Sequence, residues 1–127
     1  MSKKLSKENT TLSKKVIDCF DGEYAFLSNF YEAPIMMDGI VYPANEHAFQ
    51  AMKTKYFEQR EIIAQKKTPG QAKRAGRNVM LRDDSEQVKD SIMKQCIIMK
   101  FVLHPHLKEK LLATGDAKLI EGNTWND

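Results

Sequence analysis

Asp38-Gly39 stands between two short apolar runs, Ile35-Met36-Met37 and Ile40-Val41-Tyr42. An Asp-Gly pair flanked in this way is a two-residue hairpin signal, because both turn positions need a positive φ that Gly adopts freely and Asp tolerates. A helix is expected directly after Pro43. Asn45 fits its N-cap, and Ala48, Phe49, Met52 and Tyr56 fall on one face at helical spacing. The chain must therefore pass from hairpin to helix within a few residues, which favours a mixed α+β fold.

The flanking segments extend that reading. From Val16 to Tyr42, apolar and aromatic residues broken by Asp21-Gly22, Pro34 and Asp38-Gly39 read as short strands and turns. Thr68-Pro69-Gly70-Gln71 opens a second helix, with a Thr cap, Pro at the first helical position and Gln three residues after the cap. A third begins near Asp84 or Ser85, repeats Val88, Ile92, Cys96, Met99 and Leu103 along one face, and ends at Pro105. A fourth runs from about His106 to Ala113 with Gly115 as its stop, and Leu119-Ile120-Glu121 fits either a strand or a loop. The expected fold is a single helix-dominated α+β domain, its small N-terminal β element packed against about four helices.

Charge divides the chain. Residues 1–15 carry five lysines and one acid, a local +4, and the total of +3 leaves −1 for the remaining residues. Residues 1–15 are thus expected to be a basic flexible leader and 16–127 the domain. Lysines in a leader add at most weak, salt-sensitive attraction to nucleic-acid phosphates. The N-terminus lacks the apolar stretch of a secretory signal, and no apolar run approaches the roughly 20 residues that span a bilayer. Cys19 and Cys96 read as thiols in apolar surroundings rather than a disulfide framework, so a reduced compartment, the cytoplasm, is expected. The sequence says nothing of oligomeric state.

Residues 24–53 mix core aromatics (Tyr24, Phe26, Phe30, Tyr31, Tyr42, Phe49) with Ser28, Asn29, Glu46, His47, Gln50 and Lys53. Burying such a polar group unpaired costs about 1–3 kcal/mol, so a ligand pocket has to be weighed here. At about 100° per residue, Glu46, Gln50 and Lys53 form one polar stripe, with Glu46 in the first helical turn and Phe49 at its flank. Position alone favours a solvated helix start, with Glu46 and Lys53 both in water. His47, about 100° round the helix from Glu46, reads as a packing histidine. Three histidines (His47, His104, His106), no His-Glu-x-x-His and cysteines 77 positions apart give no metal site. There is also no dinucleotide fingerprint, so no cofactor is expected.

Six segments occur in order: Phe26-Leu-Ser-Asn-Phe-Tyr31, Asp38-Gly-Ile-Val-Tyr-Pro43, Glu46-His-Ala-Phe-Gln-Ala-Met-Lys53, Ala72-Lys-Arg-Ala-Gly-Arg77, Lys100-Phe101 and Leu112-Ala-Thr-Gly-Asp116. Together they closely resemble the YbiA-like NADAR (NAD- and ADP-ribose-associated) family, from about Ile17 to Asp127. The resemblance implies an N-glycosidase. Some family members hydrolyse the ribosyl bond of early riboflavin-pathway intermediates, and others remove ADP-ribose from guanine. Two positions depart from the pattern. Ser85 stands where the family usually has Trp, and Glu121–Asp127 resembles the start of a closing motif whose C-terminal end is missing.

Breaking a ribosyl C1′–N bond develops positive charge on the sugar and negative charge on the departing base, so a carboxylate beside C1′ is required. Glu46 is the first candidate, Asp127 matches the family's second acidic position, and Asp116 stands behind it. Lys53 fits positioning of a phosphate or hydroxyl, attack on the ring-opened sugar as a Schiff base, or an ion pair. Ser28 and Asn29 offer hydrogen bonds, and Phe30 and Tyr31 stacking faces. Gln50 joins the stripe, and Asn123 and Trp125 belong to the opposite side of the pocket in the family pattern. Arg74 and Arg77 suit a substrate phosphate, with Lys73 beside them. The expected partner is a small phosphorylated ribosyl substrate or an ADP-ribosylated nucleobase, without a membrane. A non-catalytic sensor of ADP-ribose or a related nucleotide is the alternative.

Overall fold

The computed structural model describes residues 15–120, so the leader before Lys15 and the segment holding Asn123, Trp125 and Asp127 lie outside the described residues. In chain order the strands are β1 (Val16–Ile17), β2 (Glu32–Met37), β3 (Ile40–Ala44) and β4 (Lys118–Leu119). The helices are α1 (Asn45–Ala51), α2 (Phe57–Ala64), α3 (Pro69–Ala75), α4 (Ser85–Leu103) and α5 (Pro105–Ala113), with short 3-10 turns at Gly22–Leu27 and Gly76–Asn78. Helices dominate, and short strands near the front pack on them, as the sequence predicts. The described residues divide into two compact units, 15–28 with 109–120, and 29–108.

In the first unit β1 and β4 pair in parallel, Val16 opposite Lys118 and Ile17 opposite Leu119, so the segment around Leu119 is a strand. Tyr24 to Leu27 is not a strand. It coils into a 3-10 turn entered through Gly22 at φ +54°, with Phe26 buried in the turn and Ile17 buried in β1. Lys15 Nζ donates to the Tyr24 hydroxyl at 2.8 Å, and the Lys110 ammonium sits 5.2 Å from the centre of the Phe26 ring. Cys19 is exposed rather than in apolar surroundings.

The second unit is built around α1. The hairpin forms as expected, with Asp38 at φ +50° and Gly39 at φ +84°, and its register shifts between Glu32 and Ile35, beside Pro34. Alternation along the strands turns Ala33, Ile35 and Met37 and then Ile40, Tyr42 and Ala44 inward. Ile35, Met37, Ile40 and Tyr42 meet Ala48, Ala51, Met52, Ile63, Ala72 and Cys96 in one apolar core. Helix α1 touches both hairpin strands and α2, α3 and α4. Fully buried alanines at 44, 48, 51 and 72 leave room for so many neighbours.

Three local expectations change. Asn45 is the first residue of α1 rather than its cap, and Ala44 takes the cap position without a side-chain bond. The Asn29 carbonyl instead accepts the Glu46 N–H at 3.1 Å, supplying from a distant loop what a cap would supply locally. Tyr56 leaves the predicted face because α1 ends at Ala51, and Tyr56 caps the next helix. That helix, α2, was not expected. It buries Ile63 beside a charged residue, Arg60, which an apolar-periodicity search passes over. Arg60 donates from Nε to the Thr54 carbonyl at 2.8 Å and from Nη1 to Asp38 at 3.0 Å, tying α2 to the hairpin turn. Helix α3 starts as predicted, with Thr68 Oγ1 accepting the Gln71 N–H at 3.1 Å.

Candidate active site

Helix α1 buries four polar side chains in seven residues: Asn45, Glu46, His47 and Gln50. Glu46 is 8% exposed. Gln50 Nε2 donates to Glu46 Oε2 at 2.7 Å, a charge-assisted bond one helical turn long that fixes the carboxylate's rotamer. Asn45 donates its side-chain amide to Asn29 Oδ1 at 3.2 Å. Together with the Glu46 N–H bond to the Asn29 carbonyl, this docks the start of the Asn29-Phe30-Tyr31 segment on the first turn of α1.

Two of the three stripe residues are therefore directly joined. Lys53 lies beyond the end of α1, so helical angles no longer place it. Its backbone is held by a bond from its N–H to the Gln50 carbonyl at 3.2 Å and by the Arg82 N–H donating to its own carbonyl at 2.8 Å. Its half-buried ammonium rests 5.8 Å from the Phe49 ring centre. Phe30 is exposed and Tyr31 half-buried. Ser28 and the exposed Asp116 belong to the other unit. Arg74 and Arg77 are exposed, and Arg74 lines a cavity of about 360 Å³ with Lys66, Gln71, Ala75 and Asn78.

His47 is a core histidine, as its helical angle predicts. Its Nε2 donates to the Lys66 carbonyl at 3.0 Å in the neutral ring, while Nδ1 is buried with no partner among the described residues. Burial lowers its pKa, which keeps the ring neutral. Burial also pushes the Cys96 thiol up to about 12, reinforced by the negative charge of Glu46. Cys96 is therefore a protonated thiol that faces the carboxylate's field, not a nucleophile. Among the described residues no three His, Cys, Asp or Glu side chains gather.

One buried cation of this unit was not singled out in the sequence. Lys100 is 1% exposed, on α4, with its ammonium 5.5 Å from the ring centres of both Tyr31 and Phe101. The signal was present in the spacing. Lys100 follows Cys96 by four positions, which turns it about 40° from the apolar stripe and toward the core.

Residues 18–126 match the NADAR domain. The chain belongs to the NADAR domain family. N-glycosidase YbiA of Escherichia coli is 41% identical to it over 107 residues, covering 83% of this chain. A riboflavin biosynthesis protein of Vibrio vulnificus is 32% identical over 103 residues, 80% of this chain and 28% of that protein. The solution structure of the E. coli YbiA protein superimposes with a TM-score of 0.71 at 37% identity, over 85% of this chain and 70% of that one. The NADAR fold is thus shared with a protein named for cleaving N-glycosidic bonds. The chain spans 66% of the length of the curated YbiA relatives it matches.

Proposed function

We propose that this NADAR chain is an N-glycosidase that hydrolyses the ribosyl C1′–N bond of a phosphorylated ribosyl compound. A riboflavin-pathway intermediate and ADP-ribosylated guanine are the two substrate types that fit. The observation that carries the reading is the Glu46 carboxylate, buried on α1 and bonded by the buried Gln50 amide at 2.7 Å. A solvated helix start needs neither burial nor a buried amide donor. The names of the relatives support the same chemistry.

In the reaction the C1′–N electron pair leaves with the base nitrogen, and the ribose ring oxygen shares the positive charge left on C1′. Glu46 stabilises that charge and accepts a proton from the water whose oxygen bonds to C1′. A proton delivered to the base nitrogen completes the exchange. Asp127 is the proposed second acid, with Asp116 behind it, on the resemblance alone. Lys53 positions a phosphate or ribose hydroxyl. Asn29, Phe30 and Tyr31 are the proposed contacts of the sugar and base, with Ser28, Asn123 and Trp125 added on the resemblance alone. Lys100, buried beside Tyr31, adds a cation suited to phosphate or to the electron-rich leaving base, while Arg74 and Arg77 reach for the outer phosphate.

Chromatography of released base from a panel containing both substrate types tests the reading. The wild-type chain is expected to release base from at least one of them, and Glu46→Gln to lose 10²- to 10⁴-fold in rate, about the range of a general acid–base group. Full turnover by Glu46→Gln on every cleaved substrate overturns the assignment. Calorimetric binding of ADP-ribose without product from any substrate marks a nucleotide sensor instead.

A further inference from the structure

Gln50 is bonded on one side only. Its Nε2 holds Glu46, while its Oε1 is buried without a hydrogen-bond donor among the described residues. The amide cannot turn round, because the Glu46 carboxylate offers only acceptors and would then face Oε1. Directly behind Oε1 lies Gly76, itself buried at the end of α3. A Cβ built on Gly76 would overlap Gln50 Oε1 outright, and it would lie 2.8 Å from Gln50 Cδ and 3.0 Å from Gln50 Cβ. The hydrogen that Gly76 carries in that direction is the one group small enough to face the amide oxygen, as a weak C–H donor.

Backbone conformation gives no reason for glycine here. Gly76 has φ −64° and ψ −17°, a right-handed geometry that any residue adopts. Space gives the reason. Ala72 and Gly76 lie one turn apart, both are buried, and α3 packs on α1. Because the overlap reaches Cδ and Cβ of Gln50, rotation of the terminal amide cannot relieve it. An added methyl must displace the Gln50 amide group, and the Glu46 bond that it makes, from this position.

We infer that Gly76 is a positioning residue for the Glu46 carboxylate, acting through Gln50. The inference rests on the reading of Glu46 as the reacting carboxylate. It makes the Glu46–Gln50–Gly76 line a support that reaches from α1 to α3, and it assigns Gly76 a role in turnover that its distance from any reacting atom conceals. Displacing a catalytic group by about 1 Å can cost about 100-fold in rate. Gly76→Ala is therefore expected to lower kcat by about 10- to 100-fold with KM changed by less than about 3-fold.

The test is a double-mutant cycle on the full chain, with Gly76→Ala, Gln50→Ala and both together. If the methyl acts through Gln50, the double variant turns over within about 3-fold of Gln50→Ala, because the side chain it would displace is already gone. A loss equal to the product of the two single losses overturns the inference, as does wild-type kcat in Gly76→Ala. Should Gly76→Ala alone fail to fold, the double variant is expected to regain the fold, and its failure to do so also overturns it. The Gln50 side-chain NH₂ pair in a ¹⁵N-correlated NMR spectrum gives a readout independent of catalysis. It should shift in Gly76→Ala, as it should in Glu46→Ala, and an unmoved pair in Gly76→Ala removes the role of Gly76 while leaving Glu46 untouched. Full turnover by Glu46→Gln, in contrast, removes the carboxylate reading whatever the NH₂ pair does.

Discussion

Helix α1 buries Asn45, Glu46, His47 and Gln50, whereas helix α4 leaves Ile97, Ile98, Val102 and Leu103 in solvent and buries Lys100. Both invert the usual sorting of side chains, but only one inversion demands compensation. Exposed aliphatic side chains are common and nearly neutral, while a buried polar group requires a partner. Along α1 those partners are visible: Asn29 for Asn45, Gln50 for Glu46, the Lys66 carbonyl for His47. The comparison singles out the buried polar residues of α1, and Lys100, the one buried charge of α4, as the places where the proposed chemistry can be tested.

Substitutions that remove a buried charge should then hit turnover hardest. Glu46→Gln is isosteric and keeps an oxygen for the Gln50 donor, so its 10²- to 10⁴-fold loss should come with a near-native thermal midpoint. Lys100→Met is next. Methionine fills most of the same volume, and replacing a buried charge by an apolar group is often neutral or stabilising. A charge-assisted bond to substrate is worth about 1.5–3 kcal/mol, so kcat/KM should fall by roughly 10- to 100-fold without loss of fold. Unchanged kcat/KM in Lys100→Met would reduce Lys100 to a packing residue and leave α1 alone as the functional element.

How legible this was in the sequence depended on the kind of signal. The hairpin at Asp38-Gly39 and the start at Thr68-Pro69 were readable because the residues that make the geometry are adjacent in the chain. The entry to α1 was not, because its acceptor comes from Asn29, sixteen positions before Asn45. Helix α2 escaped because Arg60 reaches the interior through Thr54 and Asp38, partners that periodicity ignores. At the site, helical spacing correctly paired Glu46 with Gln50 but could not place Lys53, since the helix ends first. Lys100 and Gly76 were within quoted motifs, yet their roles depend on how closely α4 and α3 approach α1. No one-dimensional pattern contains that approach.

His47 sharpens the α1 side of the comparison through pH. Burial lowers its folded-state pKa below the ordinary 6.5, so the unfolded chain binds the proton more readily. The neutral buried ring contributes its full share of stability above the unfolded pKa, and that share is lost as pH falls below about 6.5 toward the depressed folded value. Thermal midpoints of wild type and His47→Gln, followed from pH 7.5 to 5, should therefore converge as the pH drops. Parallel curves would show that His47 is not held neutral.

The smallest effect belongs to the exposed face of α4. Val102 is 66% exposed, and Ser has nearly the same helix propensity as Val. Val102→Ser should change stability by less than about 0.5 kcal/mol and leave kcat/KM unchanged. The measurement is a thermal melt beside the turnover assay. A fall of several degrees would mean that this aliphatic face is packed in solution, and the two helices would then differ in what covers them rather than in what they bury. A silent Val102→Ser beside an inactive Glu46→Gln leaves the asymmetry intact. Polar residues inside α1 are then constrained by chemistry, while the apolar ones outside α4 are merely tolerated by solvent.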